Sequence, residues 1–154
     1  MIYRVRRMAA GDVGVVTALA ASLPTAPHWP QETYLSALDP QARPLRTALV
    51  AEAWGSRREI AGFALASIIP PEAELESICV APEFQRMGIA RRLFEVLGAE
   101  LAAAKVTEVL LEVRASNSVA IEAYRAFGFA ETGLRKGYYA EPLEDAVLMR
   151  RIIA

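Results

Sequence analysis

The chain has 154 residues, of which 54% are apolar, and its 17 basic and 18 acidic side chains leave a formal net charge of −1. That length suits one domain able to hold a core without staples, and the balanced charge excludes a nucleic-acid partner held by bulk electrostatics. No apolar run reaches the roughly 18 positions of a membrane span, and a single cysteine, Cys79, excludes an internal disulfide.

Residues 2–8 alternate apolar and basic side chains as a strand does, without the apolar stretch of a signal peptide. With one cysteine this predicts a cytoplasmic globular domain. Asp12 is expected to cap a helix over Val13–Leu23. Pro24, Pro27 and Pro30 break the chain around His28 and Trp29, and a short helix over Gln31–Leu38 stops before Pro40. Leu45–Ala53 and Ile60–Ile69 read as two strands joined by a polar turn, hence a hairpin. Glu74–Val80 is a further strand, closed by Ala81-Pro82.

The strongest helical pattern follows, over Ile89–Lys105, where Ile89, Leu93, Val96, Leu97 and Leu101 share one face. Val106–Val113 is a Val- and Leu-rich strand. Asn117 or Ser118 opens a helix that runs through Ala126 and that Gly128 ends. Strands near Ala130–Lys136 and Asp145–Ile153 finish the chain. The order β-α-α-β-β-β-α-β-α-β-β predicts a mixed α/β domain, one layer of sheet with helices on its faces.

Between the Glu74–Val80 strand and the longest helix lies Gln85-Arg86-Met87-Gly88-Ile89-Ala90. Gly88 and the small Ala90 let backbone N–H groups approach an anion, the helix N-terminus favours negative charge, and Arg86 and Arg91 add cations. The pattern suits a pyrophosphate, although it lacks both the Gly-Lys-Ser/Thr ending of a nucleotide P-loop and the three glycines of a dinucleotide fingerprint. An ordinary helix start with charged residues in its first turn would read the same way.

The run from Val80 to Leu93 resembles the acetyl-CoA loop of the GCN5-related N-acetyltransferase (GNAT) superfamily. Glu112-Val113-Arg114-Ala115-Ser116-Asn117, then Ala120–Tyr124 and Phe127-Gly128-Phe129, resemble the second half of that signature. Within the superfamily, the Glu112–Asn117 wording and Tyr138-Tyr139 with Glu144-Asp145-Ala146 are most similar to the RimI-type ribosomal-protein-alanine N-acetyltransferases. The resemblance runs from about Gly62 to the end of the chain; before it, only Pro27–Tyr34 is similar. It implies a mainly antiparallel sheet of six to seven strands flanked by helices. It also implies acetyl-CoA as co-substrate, held by Arg86, Met87, Gly88, Ile89, Ala90, Arg91 and Asn117, and direct transfer to an amine in a ternary complex. In that fold the strands 74–80 and 106–113 diverge, and the coenzyme lies in the gap like an extra strand.

Acetyl transfer needs a neutral amine, a polarised carbonyl and a proton for the departing thiolate. Glu112 is the leading base, because its strand neighbours are Leu and Val and because the resemblance assigns it that role. The alternative is a carboxylate paired with Arg114 or Lys105. Tyr124 is the candidate general acid, about two helical turns beyond Asn117, or else a core aromatic packed with Ile121 and Phe127. Asn117 would bind the pantetheine arm, cap its helix, or do both. A backbone N–H of Ile78, Cys79 or Val80 would polarise the carbonyl, while the Cys79 thiol reads as a small core group.

Glu76, sharing a strand face with Glu74, is the second candidate base. Trp29 and Tyr34 either line a substrate entrance or pack a helix start. Tyr138, Tyr139, Glu141, Glu144 and Asp145 form either a mouth for a cationic peptide N-terminus or a solvated hairpin tip. One His and one Cys argue against a metal site. The favoured function is acetylation of a protein N-terminal α-amine, such as that of a ribosomal protein. The chain departs from the RimI wording at 24–40 and 137–145, so a small-amine acetyltransferase remains a second reading. A non-catalytic acyl-CoA-binding protein is a third.

Overall fold

A computed structural model describes residues 2–153. Its strands are β1 (Ile2–Arg7), β2 (Leu45–Trp54), β3 (Arg58–Ile69), β4 (Glu72–Val80), β5 (Glu108–Arg114), β6 (Ala130–Ala140) and β7 (Leu143–Ile152). Its helices are α1 (Val13–Ser22), α2 (Gln31–Ala37), α3 (Ile89–Ala103) and α4 (Ser118–Ala126). The strands form one seven-stranded sheet in the order β1-β2-β3-β4-β5-β7-β6. Neighbours are antiparallel except β4 and β5, which run parallel. Among the described residues, no helix is long and apolar enough to cross a membrane.

Strand alternation sends side chains to two cores. Leu49, Ala51, Ala64, Ala66, Val109, Leu111 and Met149 pack with Ile89, Leu93, Phe94, Leu97 and Leu101 of α3. On the other face Ala48, Val50, Phe63, Leu65 and Cys79 pack with Val13, Val16 and Ala20 of α1 and with Tyr34 and Ala37 of α2. α3 was legible in the sequence because its apolar stripe is the seam of the first core.

Three expectations need correction. Asp12 makes no side-chain cap to α1. Its carboxylate instead accepts the Ala9 N–H at 2.8 Å and an Arg6 guanidinium N–H at 2.8 Å, a charge-assisted pair that outcompetes a cap. β5 starts at Glu108 rather than Val106, because Val106 N–H still closes the end of α3 on the Leu101 carbonyl. β6 and β7 reach Ala140 and Leu143, so their hairpin is longer and tighter than 130–136 and 145–153 suggest.

The feature that positions the site lies between β4 and β5. They pair at only three positions, Glu72 with Glu108, Ala73 with Val109 and Glu74 with Leu110. Beyond these β4 follows β3 to Val80, while β5 follows β7 to Arg114. The register of β4 on β3 shifts between Leu75 and Ser77, leaving Glu76 as the extra residue. Such a bulge bends and twists its strand, and here it turns β4 away just after the last pair with β5. Past the bulge, β4 is held on β3 by a close approach. A Cβ at Gly62 would lie 2.5 Å from the Cys79 carbonyl oxygen and 3.3 Å from the Val80 Cα, so only glycine fits.

Gly62→Ala is therefore expected to cost about 1–3 kcal/mol of stability in chemical denaturation. An unchanged midpoint would mean that β3 and β4 separate freely at this position.

Candidate active site

After β4 a short turn over Pro82–Phe84 is closed by Phe84 N–H on the Ala81 carbonyl (2.9 Å) and Gln85 N–H on the Pro82 carbonyl (3.3 Å). The Gln85 side-chain amide donates to the Val80 carbonyl at 3.2 Å, fastening the next turn to the end of β4. Arg86 and Gly88 then take positive φ values of 64° and 80°. Backbone in this conformation turns successive N–H groups towards a common point. The first bond into α3 is Arg92 N–H to the Gly88 carbonyl, at 3.0 Å, and among the described residues the N–H groups of 86–91 have no protein acceptor. A Cβ at Gly88 would meet nothing within 4 Å. Arg86 and Arg91 are exposed and in no ion pair among the described residues, with Arg91 lying 5.3 Å from the Phe127 ring centroid. Free donors, two cations and a 15-residue helix starting at this point make a cradle whose chemistry fits a diphosphate.

The cradle opens at the wide end of the β4–β5 gap. There the backbone groups on the β5 side of Leu75–Val80, the stretch holding Ile78, Cys79 and Val80, have no partner strand. The Cys79 side chain itself is buried in the α1–α2 core, with its sulfur 3.4 Å from Ser77 Oγ, and burial pushes the thiol above its ordinary pKa. That matches the reading of Cys79 as a core residue. Across the gap Asn117 caps α4 by accepting the Ala120 N–H at 3.2 Å. Its amide nitrogen has no partner among the described residues, so a donor remains for a ligand.

Tyr124 rises from α4, on the α3 side of the sheet, and packs edge-on against Phe129 at 5.8 Å. Its phenol is pushed up to about 12, first by burial and then by the nearness of Cys79 and Tyr139. The hydroxyl therefore keeps its proton through the neutral range. Glu112 lies on the other face, in the row of Glu108, Leu110 and Arg114 that alternates with the buried Val109, Leu111 and Val113. The Tyr139 phenol is raised first by burial and then by the Glu112 charge.

The surroundings of Glu112 differ from those its sequence neighbours suggest. Its partner is neither Arg114 nor Lys105 but Arg135 of β6, at 3.3 Å. Adjacent Leu and Val side chains point to the opposite face, which is why the apolar neighbourhood does not surround the carboxylate. Glu76 is tied by both oxygens to Arg46, at 2.8 and 3.3 Å, beneath which lies Trp29. Glu74 is pushed above its usual range by partial desolvation and by the charges of Glu76 and Glu112.

At the hairpin tip two of the acidic residues are tied down while Tyr138 and Glu141 stay exposed. Glu144 accepts the Ser116 N–H at 2.7 Å and pairs with Arg114 at 3.2 Å, and Asp145 accepts the Gly137 N–H at 2.9 Å. Those carboxylates hold the hairpin in place. Arg114 also donates to the Glu141 and Pro142 carbonyls, both at 3.2 Å, and covers the Tyr139 ring at 4.2 Å. Tyr34 is buried against Phe63 (ring centroids 6.0 Å apart) rather than at an entrance, while half-buried Trp29 packs on it. A recess of about 800 Å³ lies elsewhere, lined by Leu38, Pro40, Leu45, Val96 and Ala99 among others and by none of residues 86–91, 112 or 124. Sequence reasoning did not foresee the partners of Arg46, Arg114 and Arg135, since each meets its carboxylate only across strands.

The model of the acetyltransferase (GNAT) family matches residues 16–129. The chain belongs to that family. A [ribosomal protein bS18]-alanine N-acetyltransferase of Salmonella typhimurium is 45% identical over 92 residues, which are 58% of this chain and 62% of that protein. The match thus spans less than two thirds of that relative's length. An N-alpha-acetyltransferase RimI of Mycobacterium tuberculosis is 37% identical over 124 residues, 80% of this chain and 75% of its own. The crystal structure of the ribosomal-protein-S18-alanine N-acetyltransferase from Escherichia coli superposes with a TM-score of 0.84 at 30% identity, covering 99% of this chain and 95% of that one. The likeness extends over the region before Gly62, where the sequence resemblance was thin.

Tyr34 and Tyr124 are both raised to about 12 by burial, above the 10 of an unfolded phenol. The folded GNAT domain then keeps protons that the unfolded chain loses. Stability from these groups is intact below pH 10 and drains as pH rises towards 12. An ultraviolet titration should show a late-ionising pair that Tyr124→Phe reduces to one. Ionisation of Tyr124 together with exposed phenols would contradict its burial.

Proposed function

We propose that this chain is an acetyl-CoA-dependent N-acetyltransferase acting on a protein N-terminal α-amine, as RimI enzymes do, with both substrates bound together. The observation that best supports the reading is the parting of β4 from β5: the 86–91 cradle follows β4, and Glu112 lies on β5. The names of the Salmonella and Mycobacterium relatives support the peptide acceptor and suggest a ribosomal protein such as bS18.

Acetyl-CoA supplies the activated acetyl group as a thioester. The residues of the chain then divide the work. Backbone N–H groups of 86–91, with Arg86 and Arg91, hold the diphosphate, and the unpaired edge of Ile78, Cys79 and Val80 orients the pantetheine arm and polarises the carbonyl. The Asn117 amide adds a donor at the opposite side. An α-amine of pKa near 8 is about one tenth neutral at pH 7, and Glu112 takes the proton that the amine loses on acylation. Glu76, clamped through both oxygens by Arg46, is the poorer candidate. Tyr124 carries at its hydroxyl the proton that leaves with the thiol sulfur; its raised pKa keeps that proton available.

Acetyl-CoA is expected to raise the melting temperature by mass action, whereas adenosine triphosphate leaves it unchanged; equal shifts would discredit the cradle. Transfer to a panel of peptides with differing N-termini and to free amines, read by product mass, is expected to acetylate the α-amine of an N-terminal alanine. Acetylation of free amines alone would replace the peptide reading with the small-amine one. Glu112→Gln and Tyr124→Phe should each lower kcat by about 10- to 10⁴-fold while keeping the acetyl-CoA shift. Full activity in either variant removes that residue from the mechanism.

A further inference from the structure

Glu112 and its partner Arg135 come from strands that are not neighbours. The register aligns Glu112 of β5 with Leu148 of β7 and Gly133 of β6, and in the next row Arg114 with Ala146 and Arg135. Paired residues share a face, so both rows point away from α3. From the second row Arg135 reaches diagonally over β7 to bring Nη1 within 3.3 Å of Glu112 Oε1. Ala146, with one methyl group, leaves that diagonal open.

The ladder between β6 and β7 is interrupted between Arg135 and Tyr139, where Gly137 takes φ 63° and donates to Asp145. This irregularity brings Tyr138 under Arg135, with the guanidinium 4.9 Å from the ring centroid. Tyr138 in turn meets Tyr139 edge-on at 5.0 Å, and Tyr139 lies under Arg114. Arg135 is thus held by an aromatic face below and a carboxylate ahead. The pair is half open to water, with the Arg135 side chain 53% and the Glu112 side chain 23% exposed, and such pairs add little to folding stability. Its consequence is geometric. Arg135 engages one carboxylate oxygen of Glu112, and the Tyr138 hydroxyl lies close enough to the same carboxylate for a hydrogen bond to it to raise the phenol's pKa, whereas Arg46 occupies both oxygens of Glu76.

We propose that Arg135 is a positioning residue of the acetyl-transfer site: braced on the Tyr138 ring, it holds the Glu112 carboxylate by Oε1 in the orientation from which the carboxylate takes the proton of the acceptor amine. The inference rests on the reading of Glu112 as the base. Without the guanidinium, the three torsions of the glutamate side chain lose that restraint, and the carboxylate spends less time where the amine arrives.

The test is a double-mutant cycle on acetyl transfer from acetyl-CoA to a short peptide with an N-terminal alanine, using the wild type, Arg135→Ala, Arg135→Lys, Glu112→Gln and the Glu112→Gln/Arg135→Ala pair. Arg135→Ala is expected to lower kcat about 10- to 100-fold with the peptide KM unchanged, and Arg135→Lys to recover most of the loss. In the Glu112→Gln background Arg135→Ala should cost nothing further, because the two act as one unit. An undiminished acetyl-CoA thermal shift checks that every variant is folded. Equal losses in both backgrounds, or no loss, would overturn the positioning role while leaving Glu112 as base. So would a lower KM at constant kcat, since the guanidinium would then merely occupy the place of the incoming ammonium. A silent Glu112→Gln would sink the base reading and this inference together.

Discussion

Three residue pairs hold β4 to β5, and the ending of that ladder after Glu74 and Leu110 is the constraint on which the rest depends. In a continuous sheet the backbone of Leu75–Val80 would be bonded on both sides and closed to any ligand. Here one side stays bonded to β3 and the other faces a gap. The bulge at Glu76 bends β4 outward, and the close contact of Gly62 with Cys79 and Val80 keeps the bent strand on β3. An opening of this kind in the middle of a sheet persists because the two halves are anchored separately, β4 through β3 and β5 through β7.

That opening also joins the two faces of the sheet. Tyr124 belongs to the α3 side and Glu112 to the opposite side, while Tyr139 of the β6–β7 hairpin lies under Arg114. The hairpin is held by bonds that converge on Arg114, Glu144 and Asp145, all to backbone groups or to one another. Position at the candidate site is therefore set by a rim of ion pairs and charge-assisted hydrogen bonds around a gap, while the two apolar cores hold the scaffold behind it.

The carboxylates facing away from α3 show how partner geometry sorts chemically identical groups. Glu76 meets Arg46 through both oxygens, Glu112 meets Arg135 through one with the Tyr138 hydroxyl beside it, and Glu74 has its charge disfavoured by desolvation and then by the other two. A clamped carboxylate is a poor proton acceptor because both oxygens already accept strong hydrogen bonds. A carboxylate held at one oxygen is oriented without being clamped. The three glutamates thus differ in their partners although they share one face of the sheet.

What the sequence determined by itself was local. Strand alternation, the apolar stripe of α3, Gly88 at the helix start and Asn117 before α4 are each written within a few residues, so element order and the cradle were legible without coordinates. The RimI-like wording around Glu112 and Tyr124 marked the candidate groups as well. Pairing across strands was decided only by the tertiary structure. Arg135 reaches Glu112 over an intervening strand, Arg46 meets Glu76 from 30 residues away, and Glu144 meets Ser116 from 28 residues away. Apolar neighbours in the chain misled about the setting of Glu112 for the same reason. In a strand the adjacent residues point to the other face, and what surrounds a side chain is chosen by the register of strands that are distant in sequence.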